Sequence, residues 1–562
     1  MTEDVWMTTK KTRWLYTGFI LLLLIICAGS CLKTLVQQFN IDEQYAIVLG
    51  YRIATGEKMF IDLWEPHQTS GFVCAILIKL FMMLTDSTEY VVIYLRGAGI
   101  LIQALVSIFT YITLKKEYTK WNSCLIAIIV FALQPKGIQV PEFSNLFIWS
   151  VLCTMLCLYN LYLTPQKFRR YSVLAAVFAC VSVLCYPSFL IVIPLYIIGF
   201  FKIFDKKARL ISGYFLGACI VAGVAYVVYF LTQMSVDEFL FGIKQMMTDG
   251  AHEVTLTERA LFYVEELGIM LVPAIVCFTL AYICVKILGI CEVVDRKDKN
   301  YLLIGSIALI LSVIYQVIVW MNQNNGIYLH TPLSFYFIAY GIGALSMKEE
   351  PVLKWIFYIP TGGAFLAALI LTNTGIRVTG SYLLPGILAV FVIMLQTKEV
   401  DGNKVISYVK MSGVVAFMLL LLFQRTYLVC ETGGYKADIS YMKQKALSGP
   451  AENVYCRWLD GTNYNEAAIM MEQYVSEGDS VLCVSSQNLW YLMKECRISN
   501  FSTISTPTFD ERLFEYWAIH PEKYPKVVVV DKEFYELEDV EKLLDLEAPI
   551  YNSETLALYY TK

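Results

Sequence analysis

Long apolar runs recur along almost the whole first three quarters of the chain, most of them a length that crosses a bilayer as one helix. They fall at about residues 14 to 35, 90 to 114, 121 to 140, 143 to 163, 171 to 186, 188 to 203, 211 to 233, 267 to 289, 301 to 320, 329 to 347, 354 to 373, 380 to 397 and 405 to 424. In hydrocarbon every backbone polar group must be satisfied inside its own segment, so such a chain is restricted to a helical bundle. The expectation is an all-α polytopic membrane protein with about 13 transmembrane helices. Of the 562 residues 57% are hydrophobic and 16% charged, and the net charge of −4 gives nucleic acid no basic footprint. Residues 14 to 35 are not followed by a small-x-small cleavage signature and read as an uncleaved first helix.

One further apolar stretch, 69 to 85, is ambiguous by length and contains Lys79. Loop charge decides how to read it. Basic clusters occur at TTKKTR before the first span, KKEYTK at 115 to 120, PQKFRR at 165 to 170, FDKKAR at 204 to 209 and DRKDK at 295 to 299. Lys and Arg favour cytoplasmic loops, and all five share one side only if 69 to 85 does not cross. It is therefore expected to lie in the interface with Lys79 snorkelling, and 171 to 203 to form a hairpin turning at Tyr186-Pro187-Ser188. The N-terminus is then cytoplasmic. The first outer loop (36 to 89), the turn at 141 to 145, the loop at 234 to 266, NQNNGIYLHTP at 322 to 332 and everything after 425 face outward, with His67, His252, His330 and His520.

Residues 1–424 thus read as a transmembrane domain and 425–562 as a second, extracytoplasmic one. In the latter, NEAAIMMEQYVSEGDSVLCVSS reads as helix, turn and buried strand, and KVVVVD at 526 to 531 as another strand, which is a small α/β pattern. No Gly-rich phosphate loop follows either strand. Most of the 16 cysteines lie in apolar spans, without zinc spacing. Cys430 and Cys456 are equally compatible with a disulfide or with free thiols.

The chemistry is concentrated in FNIDEQYAIVLGYRIATGEKMFIDLWEPHQTSGF, residues 39 to 72. Asp42 and Glu43 leave the first helix directly and precede a helix expected to lie on the membrane surface and end at Gly56. One carboxylate at that lip suits a general base, and the pair equally suits capping of the helix. Asp62-Leu63-Trp64-Glu65-Pro66-His67-Gln68 follows. Its tryptophan reads as an interfacial anchor or a sugar platform, and Asp62, Glu65 and His67 as groups for hydroxyls or phosphate. Glu142, in a turn of a few residues between two spans, is costly there unless it faces a polar cavity. Arg377, the one basic residue of its short outer loop, is placed to meet a lipid phosphate or a headgroup, and His330 lies on the same face.

Together these residues resemble the integral-membrane glycosyltransferases of the GT-C fold, particularly the protein O-mannosyltransferase and aminoarabinose-transferase branch. That class has an Asp-Glu pair after the first helix, two juxtamembrane helices in the first outer loop with a D-x-W/F-(D/E)-x-K/H-P-P-like segment between them, an arginine opening the next span and a second acid in the next outer loop. Asp42-Glu43, Asp62 to His67, Arg96 in YLRGAGIL and Glu142 match these places, whereas Gln68-Thr69 stand where the class has Pro-Pro. The resemblance covers about residues 14 to 210. It implies transfer of a sugar from a polyprenyl-phosphate donor to a glycan, lipid or protein acceptor on the outer face, with inversion. Asp42 would be the base and Glu142 an orienting acid. Glu43, His67, Arg96 and Arg377 would face the phosphate or the cavity wall. Some relatives use a divalent cation and others none, which leaves that cofactor open. The competing readings are a polysaccharide polymerase or ligase, which would need arginines in a large later outer loop where 234 to 266 offers only Arg259, a transporter of lipid-linked glycans, and a non-catalytic relative.

Overall fold

The computed structural model describes residues 10–134, 137–247, 255–287, 297–322, 338–343, 350–371, 376–396, 404–429, 438–503, 511–533 and 537–562. The helices are α1 (Lys10–Val36), α2 (Ile41–Ala54), α3 (Gly71–Thr85), α4 (Val91–Leu114), α5 (Lys120–Ala132), α6 (Phe143–Leu163), α7 (Phe168–Cys185), α8 (Ile193–Ile203), α9 (Ala208–Leu231), α10 (Val236–Met247), α11 (Leu256–Ile287), α12 (Lys297–Asn322), α13 (Ile359–Leu371), α14 (Leu384–Gln396) and α15 (Lys404–Tyr427). Ten helical segments among the described residues are long and apolar enough to cross a membrane, Gln68–Thr85 among them, and three more are shorter. The expected span at 329 to 347 lies outside the described residues except for 338–343, so these residues do not fix the count at thirteen.

Burial separates the helices into an inner and an outer set. From Phe143 to Leu161 every residue of α6 is buried, which makes it the central post of the bundle. α9 exposes Ile220, Val221, Val224 and Val228 on a continuous apolar surface that water would not tolerate and lipid does. The chain is a multi-pass membrane protein.

Beyond α15 follow β1 (Gln444–Lys445), β2 (Tyr455–Cys456), α16 (Trp458–Tyr474), β3 (Ser480–Val484), β4 (Arg497–Ile498), α17 (Glu511–Ile519), β5 (Val527–Asp531), α18 (Leu537–Leu543), β6 (Tyr551–Asn552) and β7 (Leu556–Tyr560). Five strands form one sheet in the order β4-β3-β5-β7-β6. β4, β3 and β5 are parallel, whereas β7 is antiparallel to both β5 and β6. β3 and β5 are buried at every position, as parallel strands covered on both faces must be. Cys456 is buried in β2, and Cys430 lies outside the described residues.

This sheet domain packs on the segment between α1 and α4, at both ends of α3. Before α3, Trp64 N–H donates to Phe501 O at 3.1 Å. After it, Thr88 Oγ1 donates to Leu492 O at 2.8 Å, and Tyr90 and Val92 N–H donate to Gly449 and Pro450. Both ends of α3 therefore touch the same polar domain, which cannot itself pass through hydrocarbon about 30 Å thick, and the helix stays on one face. Lys79 is exposed. The hairpin tip behaves likewise: Thr69 Oγ1 donates to Leu184 O at 2.6 Å. The basic segments at 115 to 120, 165 to 170 and 204 to 209 join helices at the ends away from this domain.

α2 departs from expectation. It is buried from Glu43 to Arg52 rather than lying on the membrane surface, because α3 packs on one side of it and Leu489 N–H reaches its Gln44 on another. The α2–α3 contact depends on Gly50, where an added Cβ would stand 2.7 Å from Cys74 Cβ. Gly50→Val is expected to destabilise the protein by about 1–3 kcal/mol through overpacking, read as a lowered melting temperature in detergent.

Candidate active site

α2 begins where Asn40 caps it, its Oδ1 accepting Asp42 N–H at 2.8 Å. Asp42 and Glu43 occupy the first turn, where the helix dipole favours carboxylates. Their fates then diverge. Glu43 is buried in a two-point pair with Arg96 of α4, Nε to Oε1 at 2.8 Å and Nη2 to Oε2 at 2.7 Å. Arg96 also donates to Leu35 O at 3.1 Å, Gln37 O at 2.5 Å and Gln38 O at 3.2 Å, so all five guanidinium donors are used. The resemblance implied that Glu43 and Arg96 face the phosphate or the cavity wall; here they are paired with each other. They hold the exit of α1 against the start of α4, whereas Asp42 stays half-buried.

One turn after Asp42, Tyr45 donates its hydroxyl to Pro66 O at 2.6 Å and sets its ring edge-on to Phe143 at 6.4 Å. Phe143 also stacks flat on His67, with centroids 4.3 Å apart and planes 4° from parallel. The His67 backbone is left-handed (φ 59°), and its Nδ1 lies 2.8 Å from Cys185 O at the hairpin tip. That carbonyl requires a proton on Nδ1. Glu142 precedes Phe143 and caps α6, accepting Ser144 and Asn145 N–H at 2.7 Å each, which fixes its position. The Tyr186 ring packs edge-on to His67, and its hydroxyl meets that of Tyr382 at 2.5 Å; Tyr382 in turn reaches Ser144 Oγ at 3.3 Å. Tyr45 and Phe143 thus connect the start of α2, which carries Asp42, to His67 and to Glu142 at the start of α6.

The remaining motif residues make local or domain contacts, Glu65 beside the Tyr45 hydroxyl as well. Asp62, expected on substrate, accepts Lys58 N–H at 2.7 Å and closes a local turn. Trp64 is 2% exposed among Phe241, Phe501 and Tyr516, so it is the core of the domain contact rather than an interfacial anchor or sugar platform. Glu65, expected on substrate, is wholly buried and accepts Thr503 N–H at 2.9 Å and Thr503 Oγ1 at 3.2 Å. His330 lies outside the described residues. Arg377 falls in the helical turn Ile376–Thr379, with its side chain also outside them.

Burial pushes Glu65 up to about 7, outweighing Arg52 at 3.5 Å and the Thr503 bonds. For Glu57 burial acts in the same direction, but Arg52 and Lys523 prevail and hold it below the usual range. Because the native state binds a proton on Glu65 that the unfolded state releases, the stability it contributes is complete below about 4.5, the unfolded value, and is lost as pH rises through 7. Glu65→Gln is therefore expected to melt higher than wild type at pH 8, by roughly 1–3 kcal/mol, with the two converging at pH 5.

The sequence reading missed Tyr45, Phe143, Tyr186, Tyr382 and Thr503. Tyr45 had a signal, its spacing of three from Asp42 on one helix face. Among the described residues no group of three or more His, Cys, Asp or Glu is arranged to hold a metal ion.

No family model matches this chain, and no curated protein does. Two solved structures are similar to it over nearly its whole length. One is the archaeal oligosaccharyltransferase AglB from Archaeoglobus fulgidus in complex with an inhibitory peptide and a dolichol-phosphate, at 11% identity and a TM-score of 0.42, covering 98% of this chain and 75% of that one. The other is ArnT from Cupriavidus metallidurans bound to undecaprenyl phosphate, at 11% identity and a TM-score of 0.47, covering 97% and 98%. Likenesses this distant carry no argument about activity.

Proposed function

We propose that the chain is a membrane glycosyltransferase that moves a sugar from a polyprenyl-phosphate donor to an acceptor on the outer face of the membrane, with Asp42 as general base. The observation that carries this reading is the place of Asp42 in the first turn of α2, one turn before Tyr45, whose ring packs on the Phe143 that stacks on His67 and follows Glu142. Loop charge puts the basic segments in the cytoplasm and the C-terminal domain outside.

In this reading Asp42, ionised at the dipole-favoured start of α2, accepts the proton of an acceptor hydroxyl. The acceptor oxygen bonds to the anomeric carbon while the bond from that carbon to the phosphate oxygen breaks, and polyprenyl phosphate leaves. Glu142, fixed as a cap, orients the acceptor. His67 holds Nδ1–H on Cys185 O and, with a second proton on Nε2, donates to the departing phosphate. Arg377 is proposed to meet the lipid phosphate, and His330 to face the same cavity. Attack opposite the leaving group inverts the anomeric centre. With a β-linked donor, NMR of the first product formed should show an α linkage. Retention would count against direct displacement, and passage of intact donor across proteoliposomes without cleavage would favour a transporter.

A further inference from the structure

The C-terminal sheet gathers buried polar side chains at the carboxyl ends of β3 and β5 that the transfer chemistry does not use. The connection after β3 runs to β4 on one side, whereas the chain after β5 continues through α18 to β6 and β7 on the other. In open sheets with parallel strands, such a reversal opens a crevice beyond the carboxyl ends of the two neighbours, where ligands bind.

Here those ends carry Ser485 and Asp531, both buried, with Ser485 Oγ donating to Asp531 Oδ2 at 2.9 Å. Burial pushes Asp531 up to about 6 against the effect of that bond, and the charges of Glu533 and Asp460 act in the same direction. Asp460 lies in the first turn of α16, paired with Arg457 at 2.8 Å, and Glu533 is exposed at the mouth. Two side chains more than nine-tenths buried leave an oxygen without a hydrogen-bond partner: Gln487 Oε1 and Asn463 Oδ1. Gln487 is held over the strand end by its own N–H, which donates to Ser485 Oγ at 3.0 Å, and Asn463 follows Asp460 by three residues on the same helix face. Orphaned buried acceptors are costly and ask for a donor.

The chemistry of the lining selects the ligand. Three carboxylates, Asp460, Asp531 and Glu533, stand against one guanidinium, Arg457, which is already paired with Asp460 at both oxygens, and the excess negative charge disfavours phosphate. The turn Ser485-Ser486-Gln487-Asn488 has no glycine to let a nucleotide approach the backbone. Carboxylate and amide oxygens side by side complement adjacent hydroxyl groups. We propose that this crevice binds the hydroxyl face of a glycan, and that this glycan is the acceptor. The second half rests on the glycosyltransferase reading; the first does not. The crevice also borders the candidate site. Gln38, four residues before Asp42, donates to Asp460 Oδ2 at 2.5 Å, while its carbonyl accepts Arg96.

The test uses the full-length protein in detergent, with saturation-transfer NMR and calorimetry against a panel of methyl glycosides of glucose, galactose, mannose, rhamnose and N-acetylglucosamine. Inorganic phosphate and calcium serve as counter-probes, and Asp531→Asn and Gln487→Ala as variants whose folding is checked by melting temperature. The expected result is saturable binding of at least one glycoside, weakened about tenfold in a folded variant. Absence of binding across the panel, binding equal in both variants, or occupation by phosphate or calcium in place of sugar overturns the proposal. Release of polyprenyl phosphate from a glycosylated donor is measured in parallel. Release without glycoside binding sinks the crevice alone, and glycoside binding without release sinks its assignment as the acceptor site.

Discussion

Asp42→Asn is expected to lower the turnover of sugar transfer by roughly 10²–10⁴-fold, the range a general base supplies, with little change in the donor's apparent KM. The substitution keeps the size of the side chain and removes only its capacity to take a proton. Asn40 caps α2 through Asp42 N–H rather than through the Asp42 side chain, so the helix start survives. A melting temperature close to wild type together with a collapsed rate identifies a chemical role. A loss of both would return Asp42 to the role of a structural first-turn acid.

Arg96→Ala is expected to be the most damaging change outside the catalytic chemistry. It removes two bonds to Glu43 and three to the carbonyls of residues 35, 37 and 38, and leaves Glu43 as an uncompensated buried carboxylate. Breaking a buried pair from one side costs about 3–5 kcal/mol, enough to unfold a marginal protein. Thermal melts and detergent size-exclusion profiles should show a much less stable or aggregated variant. Adding Glu43→Gln should recover part of the loss, because the orphaned charge goes with it. Unchanged melting in Arg96→Ala would reopen a ligand role for this arginine.

What could be read from the residues and what could not divides along contact range. Apolar length marked the helices, loop charge marked 69 to 85 as a segment that does not cross, and helix-strand alternation marked α16, β3 and β5, because each signal lies within one segment. The partners of the charges are set by the fold. Glu43 and Arg96 are 53 residues apart, and Glu65 and Thr503 are 438 apart. No periodicity encodes such pairings. The same reason explains α2, whose polar residues suggested a surface helix until a domain from the far end of the chain covered them. Trp64 likewise became core because Phe501 and Tyr516 reach it from that domain.

The most direct test of the central claim is release of polyprenyl phosphate by the purified wild-type protein, incubated with a panel of polyprenyl-phosphate sugars and a cell-envelope extract as acceptor source. The account requires release with at least one donor, stoichiometric with sugar transferred and dependent on Asp42. Absence of release with every donor, or release that continues at the wild-type rate in Asp42→Asn, would contradict it.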